Sequence, residues 1–267
     1  MPLWFDSHCH FDFAEFDQNR QSQWQFARRG GVSGLLIPGV THARNLQLAA
    51  FCQPYSWSFA LGLHPYFLAE HEQMHFEWLD VALESSSACA VGECGLDRVL
   101  AVDDASWQQQ LACFSTHIQL AKRHKLPLIL HVRGCHDETV AMLRRARFEH
   151  GGVVHAFSGS EQQGKAWLDL GFCLGVGGAM SHPRAQKLRR TIAALPSTAW
   201  LLETDAPDMK PAFWQGAMNS PAAIPVLAAM LAQLQGTELG ELSEQLERNR
   251  QRVLPGSYLS REWPSIN

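Results

Sequence analysis

The chain has 267 residues, of which 46% are hydrophobic and 18% are charged. This composition excludes a disordered or fibrous protein, and the length suits one large domain or two smaller ones. The formal net charge of −4 provides no overall basic field, which excludes broad phosphate neutralisation along duplex DNA. Any anionic ligand must therefore be held by local groups.

Short β-type runs alternate with longer helical patterns from the first residues onward. Eight apolar runs bounded by turn residues predict strands at 3–7, 34–38, 57–61, 88–92, 128–131, 153–155, 172–176 and 200–204. Between and after them, apolar residues recur every three or four positions. This spacing predicts helices at 17–29, 43–52, 76–85, 106–124, 137–148, 162–170, 184–194, 221–234 and 238–252.

The alternation of strands and helices predicts parallel βαβ units. The run at 34–38 is apolar without alternation, as expected for a strand buried on both faces. A count of eight favours a closed barrel over an open sheet, and the absence of a GxGxxG turn after the first strand argues against a dinucleotide site. We therefore predict that residues 1–267 form one α/β domain, a single (β/α)8 TIM barrel with an extra C-terminal helix.

The cysteines, the first residues and the lengths of the apolar stretches indicate the cellular compartment of the protein. Seven cysteines are scattered along the chain without a CxxC pair, which predicts reduced thiols rather than a disulfide framework. The first residues lack the pattern of a signal peptide, and no apolar stretch is long enough for a membrane span. We expect a cytoplasmic protein with no membrane association and no obligate protein partner.

Side chains able to bind metal ions cluster at the carboxyl ends of five predicted strands. They are His8, His10, Glu93, His131, His155 and Asp205. In a closed barrel these strand ends meet on one face, where the active sites of this fold lie. His8 and His10 are two residues apart on extended chain, so both rings are expected to project to the same side. Six such residues in these positions are hard to assign to packing alone.

Six ligands are too many for one tetrahedral zinc ion with an open position, but they suit a site with two metal ions. In the expected arrangement Glu93 bridges two divalent ions and the other ligands form two sets: His8, His10 and Asp205 on one ion, and His131 and His155 on the other. Zinc suits this set best, and Mn, Fe, Co or Mg are alternatives. Water shared by the ions would be the nucleophile, so Glu93 and Asp205 are the predicted catalytic residues.

Several further residues are weaker candidates. His64 follows the third strand and is a candidate for contacting substrate, while Arg133 and Lys210 either offset phosphate charge or are ordinary surface cations. Glu203 is either an outer partner of the metal ligands or a buried carboxylate satisfied inside the barrel. Ser158 and the glycine after it either present backbone N–H groups to an anion or cap the next helix.

Six motifs occur in order along the chain: Asp6-Ser-His-Cys-His10, Gly62-Leu-His-Pro-Tyr66, Gly92-Glu-Cys-Gly-Leu-Asp97, Leu130-His-Val-Arg133, His155-Ala-Phe-Ser-Gly159 and Glu203-Thr-Asp-Ala-Pro207. With Asn219-Ser-Pro221 and Asn249, they resemble the TatD-type metal-dependent hydrolases of the amidohydrolase superfamily, most closely the YjjV-like members. The resemblance runs from about Phe5 to Leu254. It implies a (β/α)8 barrel, the same six metal ligands, and metal-dependent hydrolysis of phosphodiester bonds, usually in DNA.

Two segments depart from the family pattern. The segment after Asp97 is short and acidic where the family has aromatic and basic residues, and segment 208–218 has one lysine where the family is rich in Arg and Lys. Phe213 and Trp214 in the second segment either stack on unpaired bases or cap the barrel. Related binuclear enzymes that cleave amides or phosphotriesters often carry a carboxylated lysine where this chain has Glu93, which favours the TatD branch.

The leading hypothesis is a divalent-metal-dependent hydrolase of phosphoester bonds. Its expected substrates are nucleic-acid ends, single-stranded or short nucleic acids, or small phosphoesters, because the weak net field does not favour long duplexes. Two alternatives stay open. One is a C–N hydrolase acting on amides or lactams with the same metal ions, and the other is a metal-binding protein without turnover.

Overall fold

The computed structural model describes residues 2–256. Eight strands form one sheet: β1 Trp4–Asp6, β2 Val32–Pro38, β3 Ser58–Leu61, β4 Ala90–Asp97, β5 Leu128–Arg133, β6 Gly152–Val154, β7 Phe172–Val176 and β8 Trp200–Leu202. Neighbours in the sheet are parallel and follow chain order from β1 to β8. The N–H of Ser7 donates to the carbonyl of Leu202 at 2.9 Å, which joins the first strand to the last. The predicted (β/α)8 barrel is confirmed.

Nine α-helices surround the sheet within residues 2–256: α1 Arg20–Arg29, α2 His42–Cys52, α3 Gln73–Ser85, α4 Asp104–His124, α5 His136–Arg145, α6 Glu161–Leu168, α7 Gln186–Ala194, α8 Ile224–Gln235 and α9 Leu239–Val253. The carboxylate of Asp103 caps α4 by accepting from the N–H of Ser106 at 2.8 Å. Both α8 and α9 follow β8, so α9 is the predicted extra C-terminal helix.

Apolar residues fill both the barrel and the layer between strands and helices. All seven residues of β2 are buried, as its uniform apolar run predicts. One cluster takes a residue from each of seven consecutive strands and fills the inside of the barrel: Leu36, Ala60, Ala90, Ile129, Val153, Cys173 and Leu201. The larger cluster, with Trp167 and Trp200 fully buried, packs the helices onto the strands.

Strand β4 is longer than the sequence predicts. We expected it to end at Gly92 with Glu93 following, whereas it continues to Asp97. The register with β5 shifts between Val91 and Cys94, so β4 has one more residue here than its partner. Gly92 has a φ of +151°, and a Cβ there would lie 2.5 Å from the carbonyl oxygen of Ile129. The apolar pattern of the sequence does not reveal this bulge. It takes Glu93 out of the regular backbone pairing between β4 and β5.

The cysteines form no disulfide within residues 2–256. All seven cysteines are free, as predicted, and all except Cys113 are buried. Among residues 2–256 no single helix is long and apolar enough to cross a membrane. Only the pair Pro221–Gln235 and Leu239–Val253 reaches that length and apolarity together, across a bend of 99°.

Candidate metal centre

The segment after β1 carries the first two histidines. The N–H of Cys9 donates to the carbonyl of Leu36 at 3.1 Å, and the N–H of His10 donates to that of Ala206 at 2.9 Å. Segment 8–10 is therefore extended between β2 and the segment that follows β8, and Cys9 is fully buried. The rings of His8 and His10 lie on the same side, with their centroids 5.1 Å apart.

Asp6 fastens this segment to the end of β8. Its carboxylate accepts from the N–H of Thr204 at 2.9 Å, from the hydroxyl of Thr204 at 2.6 Å and from the N–H of His8 at 3.3 Å. Complete burial raises the pKa of Asp6 to about 8, although these bonds oppose the shift. The pair fixes the spacing between the histidines after β1 and Asp205 after β8.

Glu93 lies at the centre of the cluster and is almost fully buried. Its two oxygens face two different groups of histidine nitrogens. Oε2 lies 3.0 Å from Nε2 of His8 and 3.5 Å from Nε2 of His10. On the other side, Oε1 lies 3.0 Å from Nε2 of His155 and 3.5 Å from Nδ1 of His131. This is the arrangement expected of a carboxylate that bridges two metal ions, because each oxygen faces a separate group of histidine ligands.

Asp205 completes the first of these groups. Its Oδ1 lies 3.6 Å from Nε2 of His8 and 3.5 Å from Nε2 of His10. The backbone of Asp205 has a φ of +56°, which is unfavourable for a side chain with a Cβ, and its N–H donates to the carbonyl of His8 at 2.9 Å. The side chain of Asn219 supports this turn by donating to the carbonyls of Thr204 and Asp208 at 2.8 and 2.9 Å.

Burial and mutual charge set the ionisation of this cluster. Burial, reinforced by the charge of His155, lowers the pKa of His8 to about 3. Burial also raises the pKa of Asp205 to about 6. Burial favours a neutral Glu93, but the surrounding histidines outweigh it and hold the pKa of Glu93 well below its usual range. A buried carboxylate that stays anionic among imidazole rings is a suitable environment for a divalent cation.

The donor atoms fit divalent metal ions. Several buried side-chain atoms here have no hydrogen-bond partner: both ring nitrogens of His8, Nδ1 of His10, Nδ1 of His155 and both oxygens of Glu93. Of these atoms, Nε2 of His8 and both oxygens of Glu93 face into the cluster, and buried polar atoms rarely lack partners without a reason. Two three-residue groups, His8–His10–Glu93 and His8–His155–Asp205, bring their ligand atoms within 4.8 Å of one another. Imidazole and carboxylate are the ligands that Zn and similar ions prefer.

His64 also lies in the cluster, with Nε2 at 3.1 Å from Oε1 of Glu93. The distance alone would suit a metal ligand, and His64 forms a third group with Glu93 and His131. However, Nδ1 of His64 accepts from the N–H of Tyr66 at 3.0 Å, so the neutral ring carries its proton on Nε2. His64 therefore presents an N–H to the cavity and suits the predicted role of contacting substrate.

The other predicted residues lie around this cluster. Glu203 is buried, accepts from the N–H of Ala156 at 2.6 Å and lies 3.7 Å from Nδ1 of His155. Arg133 is mostly exposed and lies 3.9 Å from Asp97, outside the wall of the metal cavity. Lys210 lies outside that wall too. Ser160, rather than Ser158, caps α6.

The aromatic residues Phe213 and Trp214 are partly buried against the core. The indole N–H of Trp214 donates to the carbonyl of Met218 at 2.9 Å. This contact supports the alternative in which the two residues cover the barrel. Neither residue lines the metal cavity.

Asp97 and His117 are site residues that the sequence did not single out. Nε2 of His131 donates to Oδ2 of Asp97 at 2.9 Å, which leaves Nδ1 of His131 free to point at the cluster. His117 is fully buried and its Nε2 accepts from the N–H of Leu63 at 3.0 Å, beside His64. Only the assembled barrel brings these pairs together, since 34 and 54 residues separate them.

We expect Asp97→Asn to lower metal affinity and turnover by about 10- to 100-fold. Oδ1 of Asp97 accepts from the N–H of Val99 at 2.8 Å, so the new amide NH2 would replace Oδ2 opposite His131. His131 would then need its proton on Nδ1, which faces the cluster. Metal titration and steady-state kinetics measure the effect.

Asp80→Asn is the matched control for this substitution. Asp80 accepts from Nε2 of His124 at 2.7 Å, which is the same kind of pair on the outside of the barrel. This variant should keep wild-type metal affinity and turnover. Equal losses in the two variants would contradict a specific role for Asp97.

An open cavity of about 360 Å³ leads to the cluster. His10, His64, Glu93, His131, His155 and Asp205 contribute its polar wall. Phe13, Tyr66 and Phe67 form an aromatic side of the same cavity, and Tyr66 is 67% exposed. A ligand in this space would therefore meet the polar cluster and exposed ring faces together.

A parallel barrel with histidines and carboxylates gathered at its carboxyl face defines a metal-dependent hydrolase. The family model described as "TatD related DNase" matches residues 5–255. The chain therefore belongs to the TatD family.

Comparison with individual proteins gives the same result. The chain is 42% identical over 250 residues to the "uncharacterized metal-dependent hydrolase YjjV" of Escherichia coli K12, covering 91% of this chain and 95% of the relative. The crystal structure of E. coli YjjV superimposes with a TM-score of 0.89 at 38% identity, covering 94% and 98% of the two chains. A "3'-5' ssDNA/RNA exonuclease TatD" of Erwinia tasmaniensis is 32% identical over 259 residues, covering 93% and 98%.

Proposed function

We propose that this metal-dependent hydrolase cleaves phosphoester bonds at the ends of single-stranded or short nucleic acids, or in small phosphoesters. The observation that carries the proposal is the division of the ligand cluster around Glu93, whose two oxygens face separate groups of histidines. Two adjacent divalent ions suit in-line displacement at phosphorus. The relative named as an ssDNA/RNA exonuclease supports the same reaction class.

The chain would hold two metal ions with the six residues predicted from strand ends. His8, His10 and Asp205 form one set, His131 and His155 form the other, and Glu93 belongs to both. Zinc suits the imidazole-rich donors best, with Mn, Fe, Co and Mg as alternatives. When bound, divalent ions polarise a phosphoryl oxygen and make water a better nucleophile.

In this proposal Asp205 accepts the proton of the attacking water. Its side chain is 16% exposed, whereas that of Glu93 is 1% exposed, so water in the cavity reaches Asp205. Oδ1 of Asp205 faces His8 and His10, which leaves Oδ2 for the proton. The N–H of His64 faces the same cavity and would donate to a substrate oxygen as charge develops on it.

The walls of the cavity suit a nucleotide-like ester. Tyr66 and Phe67 offer ring faces on one side, and nucleobases stack on such faces without sequence preference. The opposite wall carries the carboxylates and imidazoles that would hold the ions near a phosphate. A terminal nucleotide has a base that can stack on the ring faces and a phosphate that can lie near the ions. An amide substrate has no such phosphate.

A metal-reconstituted assay with esters and amides tests the proposal. Purified protein is stripped with a chelator, reloaded with Zn, Mn, Co or Mg, and given bis-p-nitrophenyl phosphate, an oligothymidylate and a panel of amides and lactams. We expect metal-dependent release of p-nitrophenol and nucleotides, and loss of both in Asp205→Asn. Turnover of amides but not esters would replace the proposal with the C–N hydrolase, and ester cleavage that survives Asp205→Asn would place the reaction elsewhere.

A further inference from the structure

A second open cavity, of about 480 Å³, lies beside the metal cavity on the same face of the barrel. We call it the basic groove and define it by five of its lining residues: Ser158, His182, Arg184, Lys187 and Lys210. They come from the segments after β6, β7 and β8. Among the described residues that line the groove, none is acidic.

The basic groove lies next to the metal cavity. A narrow cleft lined by Gly175, Gly177 and Gly178 separates the two. This cleft shares Asp205 with the metal cavity and shares Met209 with the groove. Lys210 is five residues from Asp205, so their Cα atoms are at most about 18 Å apart.

Hydrogen bonds fasten the loops that carry these cations. The guanidinium of Arg189 donates to the carbonyls of Met180, Ser181 and His182 at 2.8, 3.2 and 3.1 Å. The hydroxyl of Ser181 accepts from the N–H of Ala212 at 2.8 Å, and Nε2 of His182 donates to the carbonyl of Lys210 at 3.1 Å. These hydrogen bonds hold the segment after β7 against the segment after β8, so the two segments form one surface of the groove.

The cations themselves remain available to a ligand. Arg184, Lys187 and Lys210 are exposed, and within the described part of the chain none of them forms an ion pair. Nζ of Lys210 only donates to the carbonyl of Gly216 at 3.3 Å. The chain as a whole has a net charge of −4, so this patch is a local positive field on an acidic protein.

We propose that the basic groove holds the phosphate backbone of a single-stranded nucleic acid whose terminal nucleotide lies in the metal cavity. The inference rests on the proposed phosphoester hydrolysis and adds the surface that selects a polynucleotide over a small ester. Phosphates of a stacked strand are spaced by about 3.4 Å along its axis, so the groove lies within about five nucleotides of the cluster. The groove thus supplies the cations that segment 208–218 lacks.

Two pairs of substitutions test this surface. Arg184→Gln with Lys187→Gln removes two charges from the groove, and Arg144→Gln with Arg145→Gln removes two exposed charges from the far end of α5. Fluorescence anisotropy with a labelled oligothymidylate, on protein loaded with a divalent metal that supports no turnover, measures Kd at several salt concentrations. Hydrolysis of bis-p-nitrophenyl phosphate is measured in parallel.

In the groove variant we expect a several-fold higher Kd for the oligonucleotide and a decrease of about 1.4 in the magnitude of the salt slope, since each single-strand phosphate contact contributes about 0.7. Hydrolysis of the small ester should stay at the wild-type rate, and the α5 variant should resemble wild type in both assays. Unchanged oligonucleotide binding in the groove variant, or an equal loss in the α5 variant, would overturn the proposal. If wild type cleaves no ester but its oligonucleotide binding still depends on the groove, the proposed reaction fails while the groove stands.

Discussion

Replacement of Glu93 by glutamine is expected to abolish turnover, with a loss well above 100-fold, and to release metal ions. The amide keeps the shape of the carboxylate, so the barrel should still fold. The glutamine side chain lacks the negative charge that faces the histidines on both sides. One of its two oxygens is replaced by an NH2 group that cannot bind a metal ion. Removing a partner of a metal ligand already costs 10- to 100-fold, and Glu93 is central to the cluster.

Metal analysis of purified protein and kcat on bis-p-nitrophenyl phosphate measure this effect. Glu84→Gln is the control, because Glu84 is an exposed carboxylate in α3. It should retain metal and activity. A Glu93→Gln protein that keeps its full metal content and wild-type kcat would show that the cluster is not the reaction site.

The second large effect is expected at Asn219, which is fully buried. Its side chain donates to the carbonyls of Thr204 and Asp208 and accepts from the N–H of Ser220 at 2.8 Å. In Asn219→Ala these groups lose their partner inside the protein, so the free energy of unfolding should fall by about 2–4 kcal/mol. The turn that carries Asp205 loses its support, and kcat should fall about 10- to 100-fold.

Asn249→Ala separates the two parts of this prediction. Asn249 is another buried asparagine, and it donates to the carbonyls of Ser197 and Trp200 at 2.8 Å, before and at the start of β8. Its loss should destabilise the protein to a similar degree and leave kcat of the folded enzyme unchanged. Urea unfolding and kcat measured well below the unfolding midpoint test both variants. Equal kcat values in the two variants would contradict the positioning role of Asn219.

The sequence predicts much of the barrel because its signals are local. Apolar runs and helical spacing locate all eight strands, and parallel closure then brings the strand ends to one face. This reasoning suffices to gather His8, Glu93 and Asp205 from distant parts of the chain. It depends on topology and does not require side-chain detail.

What the sequence does not show depends on contacts between distant segments. The bulge at Gly92 depends on the register of β4 against β5, so the apolar pattern ends the strand too early. Asp97 becomes a partner of His131 only through that extended strand. Likewise, Lys210 is an isolated lysine in the sequence until the loop after β7 and the start of α7 bring Arg184 and Lys187 to the same groove.

The joining of β1 to β8 has a consequence for synthesis of the protein. The bonds from Thr204 to Asp6 and from Ser7 to Leu202 span 198 and 195 residues, among the longest separations in the chain. Closing such long loops is slow, and no nascent fragment that ends before Thr204 contains the complete cluster. The ribosome must therefore deliver more than three quarters of the polypeptide before any catalytic power can arise. A product that terminates before Asp205 would lack one of the six predicted metal ligands.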